Sequence, residues 1–343
     1  MKQIKILIAG YEIGGQMQLL AEAFRRKGFD AVSVAFNQDF RQFQNDKVLN
    51  IQGKGGQLRR FLFFLKALFT YDVFYFFWGV SLWGFWRFHG LDLPILKLFG
   101  KKIIVHFRGT DVVNIQYYEN LAAPYQNKAI DKNIPLSRPD QLQAVRRWEK
   151  YADFILVSTP DLLWVSPRAI LSPQLIRFAD WQKLKETQSG NRKVFTIAHA
   201  PTRRHAKGTE FVILAVDNLK SEGLPVELVL LENIPYADIP GRLAQCDVGI
   251  DQLLHGWYGK VSVELMALGK PVICFISEAH KQYMPDLPII NATPHNLTDV
   301  LRRVIQDDAL RLEAGKQGAA FAAKHHDVDT ELDKLVVLFT LEK

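Results

Sequence analysis

Cysteine is scarce in this sequence, and its apolar runs are short. The chain has 343 residues and two cysteines, Cys246 and Cys274, too few for a disulfide framework or a four-cysteine zinc site. A reducing compartment, and hence a cytoplasmic location, is therefore expected. The longest uncharged run, Val73–Trp86, has 14 residues, whereas a membrane-spanning helix needs about 20. Met1–Gly10 mixes lysines into a short apolar run, which predicts a first β-strand rather than an export signal.

A large excess of either charge is also lacking. Lysine and arginine number 43 against 36 acidic residues, a net charge of +7. This moderate excess favours anionic ligands or an anionic membrane surface and is too small to indicate nucleic acid. The hydrophobic content of 48% and charged content of 23% exclude a disordered or fibrous chain.

Several catalytic and cofactor motifs are absent. The sequence contains no C-x-x-C, H-E-x-x-H, G-x-S-x-G or G-x-x-x-x-G-K-[ST] pattern, which argues against the zinc, serine-hydrolase and P-loop chemistries that these patterns carry. The glycines of Gly10–Gly15 do not match G-x-G-x-x-G, and no acidic residue ends the second predicted strand near Phe36, so NAD binding is disfavoured. We expect neither a metal nor a cofactor.

Strand-like and helix-like runs alternate along the chain, which predicts a parallel α/β architecture. Strands are predicted at Ile4–Ala9, Ala31–Phe36, Val48–Ile51, Val73–Phe77, Ile103–Phe107, Phe154–Val157, Val194–His199, Val226–Leu231, Val248–Asp251, Val272–Phe275 and Ile289–Ile290. Helices are predicted at Gln16–Lys27, Gln57–Phe69, Thr209–Glu222, Lys260–Leu268, Asn296–Asp307, Ala309–Phe321 and Asp329–Glu342.

The polar segment Lys183–Arg192, which contains Ser-Gly, is the best candidate for a linker. It divides the chain into an N-terminal Rossmann-like domain (1–180), a linker (181–192), a C-terminal domain (193–325) and a last helical segment (326–343). This segment has apolar residues at helical spacing and would pack back on one of the domains, the N-terminal one by preference. Two such domains would face each other across a cleft, and open α/β sheets bind ligands at the carboxyl ends of their strands.

The strongest local pattern lies between Gly256 and Phe275. Gly259 allows close approach of a backbone, and Lys260–Ser262 would begin a helix whose free N–H groups and dipole favour a phosphate. Glu264 would lie one turn further along, where its carboxylate can accept hydrogen bonds from ribose hydroxyls. The alternative is an ordinary surface helix that ends at a glycine.

A second pattern, His199–Thr209, follows a predicted strand and precedes a helix. Its cationic side chains suit a diphosphate leaving group, whose charge must be neutralised as the bond breaks. They are Arg203, Arg204, His205 and Lys207. The alternative is a solvated basic loop.

Two further patterns follow strands of the first half. His106, Arg108 and Asp111 lie at the carboxyl end of a predicted strand, where catalytic groups usually occur. In the alternative interpretation Asp111 is a helix N-cap and His106 is a hydrogen-bonded buried histidine. The pair Gly14–Gly15 follows the first strand and could cradle a phosphate or admit a substrate, although a single glycine-rich turn is weakly specific.

Taken in order, these patterns resemble those of retaining GT-B glycosyltransferases, glycosyltransferase family 4 in particular. The matching elements are the Gly14–Gly15 pair, H-x-x-G-[ST]-D at His106–Asp111, the basic loop that ends at Lys207–Gly208, and G-x-x-x-x-E-x-M-A-x-G-x-P-V at Gly259–Val272. The resemblance implies a GT-B fold and transfer of a sugar from a UDP- or GDP-sugar without a metal. The acceptor would be a saccharide or a lipid-linked sugar in cell-surface glycan synthesis.

The resemblance also implies roles for individual residues. Glu264 would hold the ribose, and Lys207 with Arg203 or Arg204 would neutralise the diphosphate. The backbone of Lys260, Val261 and Ser262 would hold the distal phosphate, and Gly259 would allow its close approach. The remaining implied substrate contacts are His106 beside the scissile bond, Asn233 and Ile234 at the base, and Gly14, Gly15 and Asp111 in the first half.

One departure from the family pattern is informative. The family usually has a glutamate eight residues before the ribose-binding one, and this sequence has Gly256 there, with Asp251 and His255 nearby. The departure motivates one alternative, a non-catalytic binding subunit that keeps the fold. A second alternative, a nucleotide-sugar 2-epimerase of the same fold, would need carboxylates poised for acid/base work.

The aromatic stretch Phe61–Phe88 belongs to the half that binds acceptors in this family, and basic residues flank it. A basic and aromatic surface is typical of an enzyme that rests on anionic lipid. The loop Trp78–Phe88, with Trp83 and Trp86, is the candidate contact, whereas the helix Gln57–Phe69 is better explained as part of the core.

Overall fold

The computed structural model describes residues 3–38, 42–53, 55–84, 90–109, 111–112, 120, 139–186 and 194–340. The strands are β1 (Lys5–Gly10), β2 (Asp30–Ala35), β3 (Lys47–Val48), β4 (Val73–Phe77), β5 (Lys102–Phe107), β6 (Phe154–Val157), β7 (Ala169–Leu171), β8 (Phe195–His199), β9 (Val226–Leu230), β10 (Val248–Ile250), β11 (Val272–Cys274) and β12 (Ile290–Asn291).

The helices are α1 (Gln16–Arg26), α2 (Gly56–Thr70), α3 (Asp92–Leu98), α4 (Pro139–Tyr151), α5 (Phe178–Glu186), α6 (Arg204–Lys207), α7 (Thr209–Ser221), α8 (Ile239–Ala244), α9 (Lys260–Ala267), α10 (Glu278–Lys281), α11 (Leu297–Gln306), α12 (Asp308–His325) and α13 (Val328–Thr340). None of these helices is long and apolar enough to cross a bilayer.

The chain forms two compact units. The described residues of the first unit fall within 3–112, 139–175 and 328–340, and those of the second unit are residue 120 and residues within 176–327. The segment predicted as a linker begins inside α5, and residues 187–193 lie outside the described residues.

The first unit contains a parallel sheet of seven strands in the order β3-β2-β1-β4-β5-β6-β7. Its central strand β4 reads VFYFF and is buried at every position, as expected for a parallel strand covered on both faces. Apolar clusters lie on both faces of the sheet, and Val328, Leu332 and Leu335 of α13 belong to the cluster that contains α1.

The second unit contains a parallel sheet of five strands in the order β12-β11-β10-β8-β9. Two apolar clusters cover its faces. The two ends of its segment 176–327 lie together, since Ile176 N donates to His326 O at 2.9 Å and Phe178 N donates to the Asp327 carboxylate at 3.0 Å. The α/β class predicted from the sequence is confirmed.

Candidate functional site

The carboxyl edge of the second sheet collects most of the side chains that the sequence singled out. Strand β8 ends at His199, whose Nδ1 lies 2.8 Å from Ile250 O and whose Nε2 lies 2.9 Å from Thr209 Oγ1. Burial lowers the pKa of His199 to about 4, so the ring is neutral at pH 7. This ring joins the ends of β8 and β10 to the start of α7.

Asp251 follows β10 and lies at the centre of the site. Its Oδ1 accepts from Lys207 Nζ at 2.7 Å, and its Oδ2 accepts from Gly259 N at 2.6 Å and from Ser262 Oγ at 2.8 Å. Burial alone would raise the pKa of Asp251, but the Lys207 ammonium and these hydrogen bonds outweigh burial and lower it. The Asp251 side chain is 1% exposed and the Lys207 side chain 13% exposed, so the two form a buried ion pair beside the start of α9.

Glycine at the start of α9 leaves room for this carboxylate. A Cβ at Gly259 would lie 3.0 Å from Asp251 Oδ2 and 3.2 Å from Lys207 Nζ. The amides of Val261 and Ser262 lie in the first turn, where a helix offers no internal acceptor. The sequence predicted that Lys260–Ser262 offer their N–H groups to a phosphate, and this stays a prediction; the N–H of Gly259, which precedes them, is bound by Asp251.

Glu264 lies one turn into α9 and is buried. Its Oε1 accepts from Tyr236 OH at 2.6 Å and lies 3.3 Å from Lys260 Nζ. The Lys260 ammonium also lies 2.8 Å from Tyr236 OH and 4.0 Å from the centre of that ring. Lys260, Tyr236 and Glu264 therefore form a connected polar cluster beside the Asp251 group.

The two arginines of the basic loop differ in their surroundings. Arg204 contacts Glu210 and Glu232, each at 2.9 Å, and the hydrogen bond to Glu210 and the charges of both carboxylates raise its pKa. Arg203 is exposed and has extended backbone immediately before α6. The pKa of the nearby His255 is lowered to about 4. Burial is the largest cause, the charge of Lys207 follows, and the charge of Arg203 adds to the shift.

Asn233 and Ile234, the candidates for base contacts, follow β9 on the same unit. Asn233 is exposed and has a left-handed backbone with φ 54°, a conformation that asparagine tolerates better than most residues. Ile234 is half-buried against an apolar cluster of this unit. Gly256 also has positive φ, at 69°, and its carbonyl accepts from Ser277 N at 2.9 Å.

In the first unit, His106 is the penultimate residue of β5 and is buried. Its Nδ1 lies 2.9 Å from Tyr75 OH, and its Nε2 lies 3.2 Å from Ser172 O, Ser158 Oγ and Arg108 Nη1. Burial and then the Arg108 charge hold the pKa of His106 well below its ordinary value. This is the geometry of a hydrogen-bonded strand-end histidine, and the role beside a scissile bond stays a prediction.

Asp111 closes the turn after β5. Its carboxylate accepts from Arg108 N at 3.1 Å and from Gly109 N at 2.8 Å, and burial raises its pKa to about 6. Residues 113–119 lie outside the described residues, as does Thr110, so the alternative role of Asp111 as a helix N-cap is untested.

The glycine pair Gly14–Gly15 has left-handed backbone with φ of 71° and 72°, which favours glycine. The amides that follow are already bound, since the Glu12 carboxylate accepts from Gln16 N at 2.8 Å and from Met17 N at 3.1 Å. A carboxylate thus occupies the start of α1, where the sequence predicted a phosphate or a substrate.

Two side chains of the second unit were not predicted as site residues from the sequence. Asp251 was noted only as an acid near Gly256, although its place at the end of a predicted strand is a usable signal. Tyr236 lies on a short 3-10 turn, Tyr236–Asp238, and no local pattern marks it. Among the described residues no group of three or more His, Cys, Asp or Glu side chains is placed to hold a metal ion.

Comparison with known proteins gives similarity in structure alone. No family model and no curated protein matches the sequence. Sucrose-phosphate synthase from Thermosynechococcus elongatus superposes with a TM-score of 0.67 at 15% identity, covering 98% of this chain and 99% of that one. Anabaena HepE, solved with UDP-glucose, superposes with a TM-score of 0.63 at 16% identity, covering 97% of this chain and 99% of that one. WaaG, a glycosyltransferase involved in lipopolysaccharide biosynthesis, superposes with a TM-score of 0.61 at 13% identity, covering 99% of this chain and 100% of that one.

The fold is GT-B. These neighbours superpose on the chain over nearly its whole length, and the chain has two parallel sheets, which together confirm the predicted fold class. A UDP-N-acetylglucosamine 2-epimerase has the same fold, with a TM-score of 0.57 at 12% identity, covering 100% of this chain and 98% of that one. Fold alone therefore does not separate transfer from epimerisation.

Proposed function

We propose that the chain is a glycosyltransferase that moves a sugar from a UDP- or GDP-sugar to a saccharide or lipid-linked acceptor. The observation that carries the proposal is the grouping of Lys207, the first turn of α9 and Glu264 at the carboxyl edge of the second sheet. Asp251 holds Lys207 and Gly259 together at 2.7 and 2.6 Å. A cation, a helix start and a carboxylate one turn inward suit a nucleoside diphosphate.

In the proposed reaction the bond between the anomeric carbon and the diphosphate oxygen breaks, and the acceptor hydroxyl forms the new bond on the same face of the sugar. The leaving diphosphate takes the electron pair and then the acceptor's proton. Lys207, Arg203 and the α9 dipole stabilise the charge that develops on it. Glu264 accepts from the ribose hydroxyls in this proposal, with Asn233 and Ile234 at the base. The assignment of His106 to the sugar rests on the family resemblance alone.

Nucleotide binding tests this assignment directly. Dissociation constants for UDP, GDP and ADP are measured by calorimetry on wild type and on Glu264→Gln and Arg203→Gln. We expect one nucleotide to bind preferentially and each substitution to weaken it about tenfold or more, since a lost hydrogen bond to a charged group costs about 1.5–3 kcal/mol.

Lys324→Gln is the matched control, because Lys324 pairs with Asp286 on the surface of the same unit. Equal affinities in wild type, both site variants and this control would refute the site. Wild type that binds no nucleotide at all would refute the donor class.

The alternative epimerase activity would need carboxylates poised for acid/base work, and a UDP-N-acetylglucosamine 2-epimerase has the same fold. Incubation of a UDP-N-acetylhexosamine without acceptor, followed by product analysis, separates the two reactions. Formation of an epimerised nucleotide sugar would refute sugar transfer in favour of epimerisation, whereas release of nucleoside diphosphate that depends on an added acceptor would support sugar transfer.

A further inference from the structure

Helix α2 carries an apolar stripe on its exposed side. Leu58, Leu62, Leu65 and Phe69 recur at intervals of four, three and four residues, which places them on one face of a helix. All four are exposed, Leu62 by 54% and Phe69 by 74%. The opposite side of α2, with Phe63, Phe64, Ala67 and Leu68, supplies the core contacts, so the exposed stripe is not needed to attach the helix.

The stripe continues onto the end of α3. The Phe69 ring packs edge to face against Phe99, with 5.7 Å between ring centres, and Leu98 beside it is 83% exposed. We name the six residues Leu58, Leu62, Leu65, Phe69, Leu98 and Phe99 the outer apolar face. An exposed apolar surface that is continuous across two elements marks an interaction site, whereas single exposed leucines do not.

Basic side chains border this face. Arg59 and Lys66 of α2 are exposed, and the sequence from residue 49 to residue 71 contains four lysines and arginines and no acidic residue. A second copy of the chain would bring its own Arg59 and Lys66 toward these residues in a two-fold contact, and like charges would oppose that contact. An anionic lipid surface instead neutralises them while its acyl region accepts the leucines and phenylalanines.

We propose that the outer apolar face docks the protein on an anionic phospholipid bilayer, with α2 lying in the plane of the interface. This surface differs from the loop that the sequence indicated. Trp83 of that loop packs on Phe61 and Phe64, at 5.0 and 6.0 Å between ring centres, and residues 85–89, including Trp86, lie outside the described residues. The proposal is independent of the proposed activity.

Flotation with phospholipid vesicles tests the proposal. Purified wild type is mixed with vesicles of phosphatidylcholine, or of phosphatidylcholine with phosphatidylglycerol, and the bound fraction is measured against lipid concentration. We expect binding to the anionic vesicles that weakens with added salt. Lys66→Gln should weaken it about fivefold, the equivalent of one basic residue near a charged membrane, and Leu62→Gln with Phe69→Gln should weaken it at least tenfold.

The matched control is Leu312→Gln with Leu214→Gln, which removes two exposed leucines of the second unit, 77% and 59% exposed. This variant should bind vesicles like wild type, and all variants should keep the thermal midpoint of wild type. Failure of wild type to bind anionic vesicles would overturn the proposal. So would a dimer, seen by light scattering, that the Leu62 and Phe69 substitutions dissociate, because that result assigns the face to a second copy.

Discussion

One carboxylate, Asp251, holds together two parts of the candidate site, the basic loop and the start of α9. It binds Lys207 from the basic loop, the Gly259 amide and the Ser262 hydroxyl from the start of α9. A diphosphate bound as we propose would meet an ammonium already oriented by this carboxylate, so little side-chain entropy would be lost on binding. The same arrangement makes the stability of the native state depend on Asp251.

We expect Asp251→Asn to lower the free energy of unfolding by about 3 kcal/mol at pH 7, because it breaks a buried ion pair and leaves Lys207 uncompensated. The folded-state pKa of Asp251 is lowered, so the stabilisation is present above the unfolded value of about 4 and is lost as pH falls through the folded value. Urea unfolding measures the difference.

Asp286→Asn is the control for this prediction. Its partner Lys324 and Asp286 itself are 66% and 51% exposed, so the loss should stay below about 1 kcal/mol. Equal losses in the two variants would show that the Asp251 pair is no more than a surface contact in solution.

His199 predicts a second pH dependence. Its pKa is about 4 in the fold and about 6.5 in the unfolded chain. Between these values the unfolded chain holds a proton that the fold does not, so stability is lost as pH falls below about 6.5. At pH 5 this costs about 2 kcal/mol.

His199→Asn removes that titration. The stability lost by the variant relative to wild type should therefore be about 2 kcal/mol smaller at pH 5 than at pH 7.5, as measured by urea unfolding at both values. An identical loss at the two pH values would mean that His199 is not held neutral in the fold.

At the scale of elements, the close approach of α12 to the end of α9 depends on glycine. A Cβ at Gly315 would lie 2.1 Å from Gly269 O, a backbone atom, whereas a Cβ at Gly241 in α8 meets nothing within 4 Å. Gly315→Ala should therefore destabilise by about 1–3 kcal/mol despite the better helix propensity of alanine. Gly241→Ala should stabilise by about 0.5–1 kcal/mol. Thermal unfolding compares the two, and stabilisation by both would contradict the close contact.

The sequence predicted most elements of the chain to within a few residues, because hydrophobic periodicity and glycine or proline ends are local signals. Helix α9 was predicted at Lys260–Leu268 and lies at Lys260–Ala267. Two predicted segments differ more: Val48–Ile51 contributes only to the two-residue β3, and the predicted linker begins within α5. Sheet pairing and tertiary packing decide the secondary structure of such short or polar segments, and the local sequence does not contain that information.

The candidate site was predicted less completely than the fold. Spacing identified Lys207, Gly259 and Glu264, since each lies at a strand end or a helix start. It did not identify their partners, because Asp251 and Tyr236 reach them from 44 and 28 residues away along the chain. The carboxylates of Glu12 at the start of α1 and Asp251 at the start of α9 were missed for the same reason. A sequence motif shows which backbone amides a helix start offers, whereas only the fold shows which carboxylate accepts from them.

At the scale of the whole molecule, each unit has its own sheet and its own apolar clusters. Segment 176–327 of the second unit is inserted between residues 175 and 328 of the first, and the ends of this segment are joined by the Ile176–His326 hydrogen bond. Its unfolding therefore need not separate the strands of the first unit. We expect two unfolding transitions in calorimetry rather than one.

Two core substitutions and a nucleotide distinguish these transitions. Leu332→Ala in α13 and Leu301→Ala in α11 both truncate fully buried side chains, and each should cost about 2–5 kcal/mol in its own unit. The preferred nucleotide at about 100 times its dissociation constant should add about 2.7 kcal/mol to the transition that Leu301→Ala lowers and leave the other in place. If the nucleotide instead moved the transition sensitive to Leu332→Ala, the site would belong to the first unit, and the assignment of the diphosphate to Lys207 and α9 would be wrong.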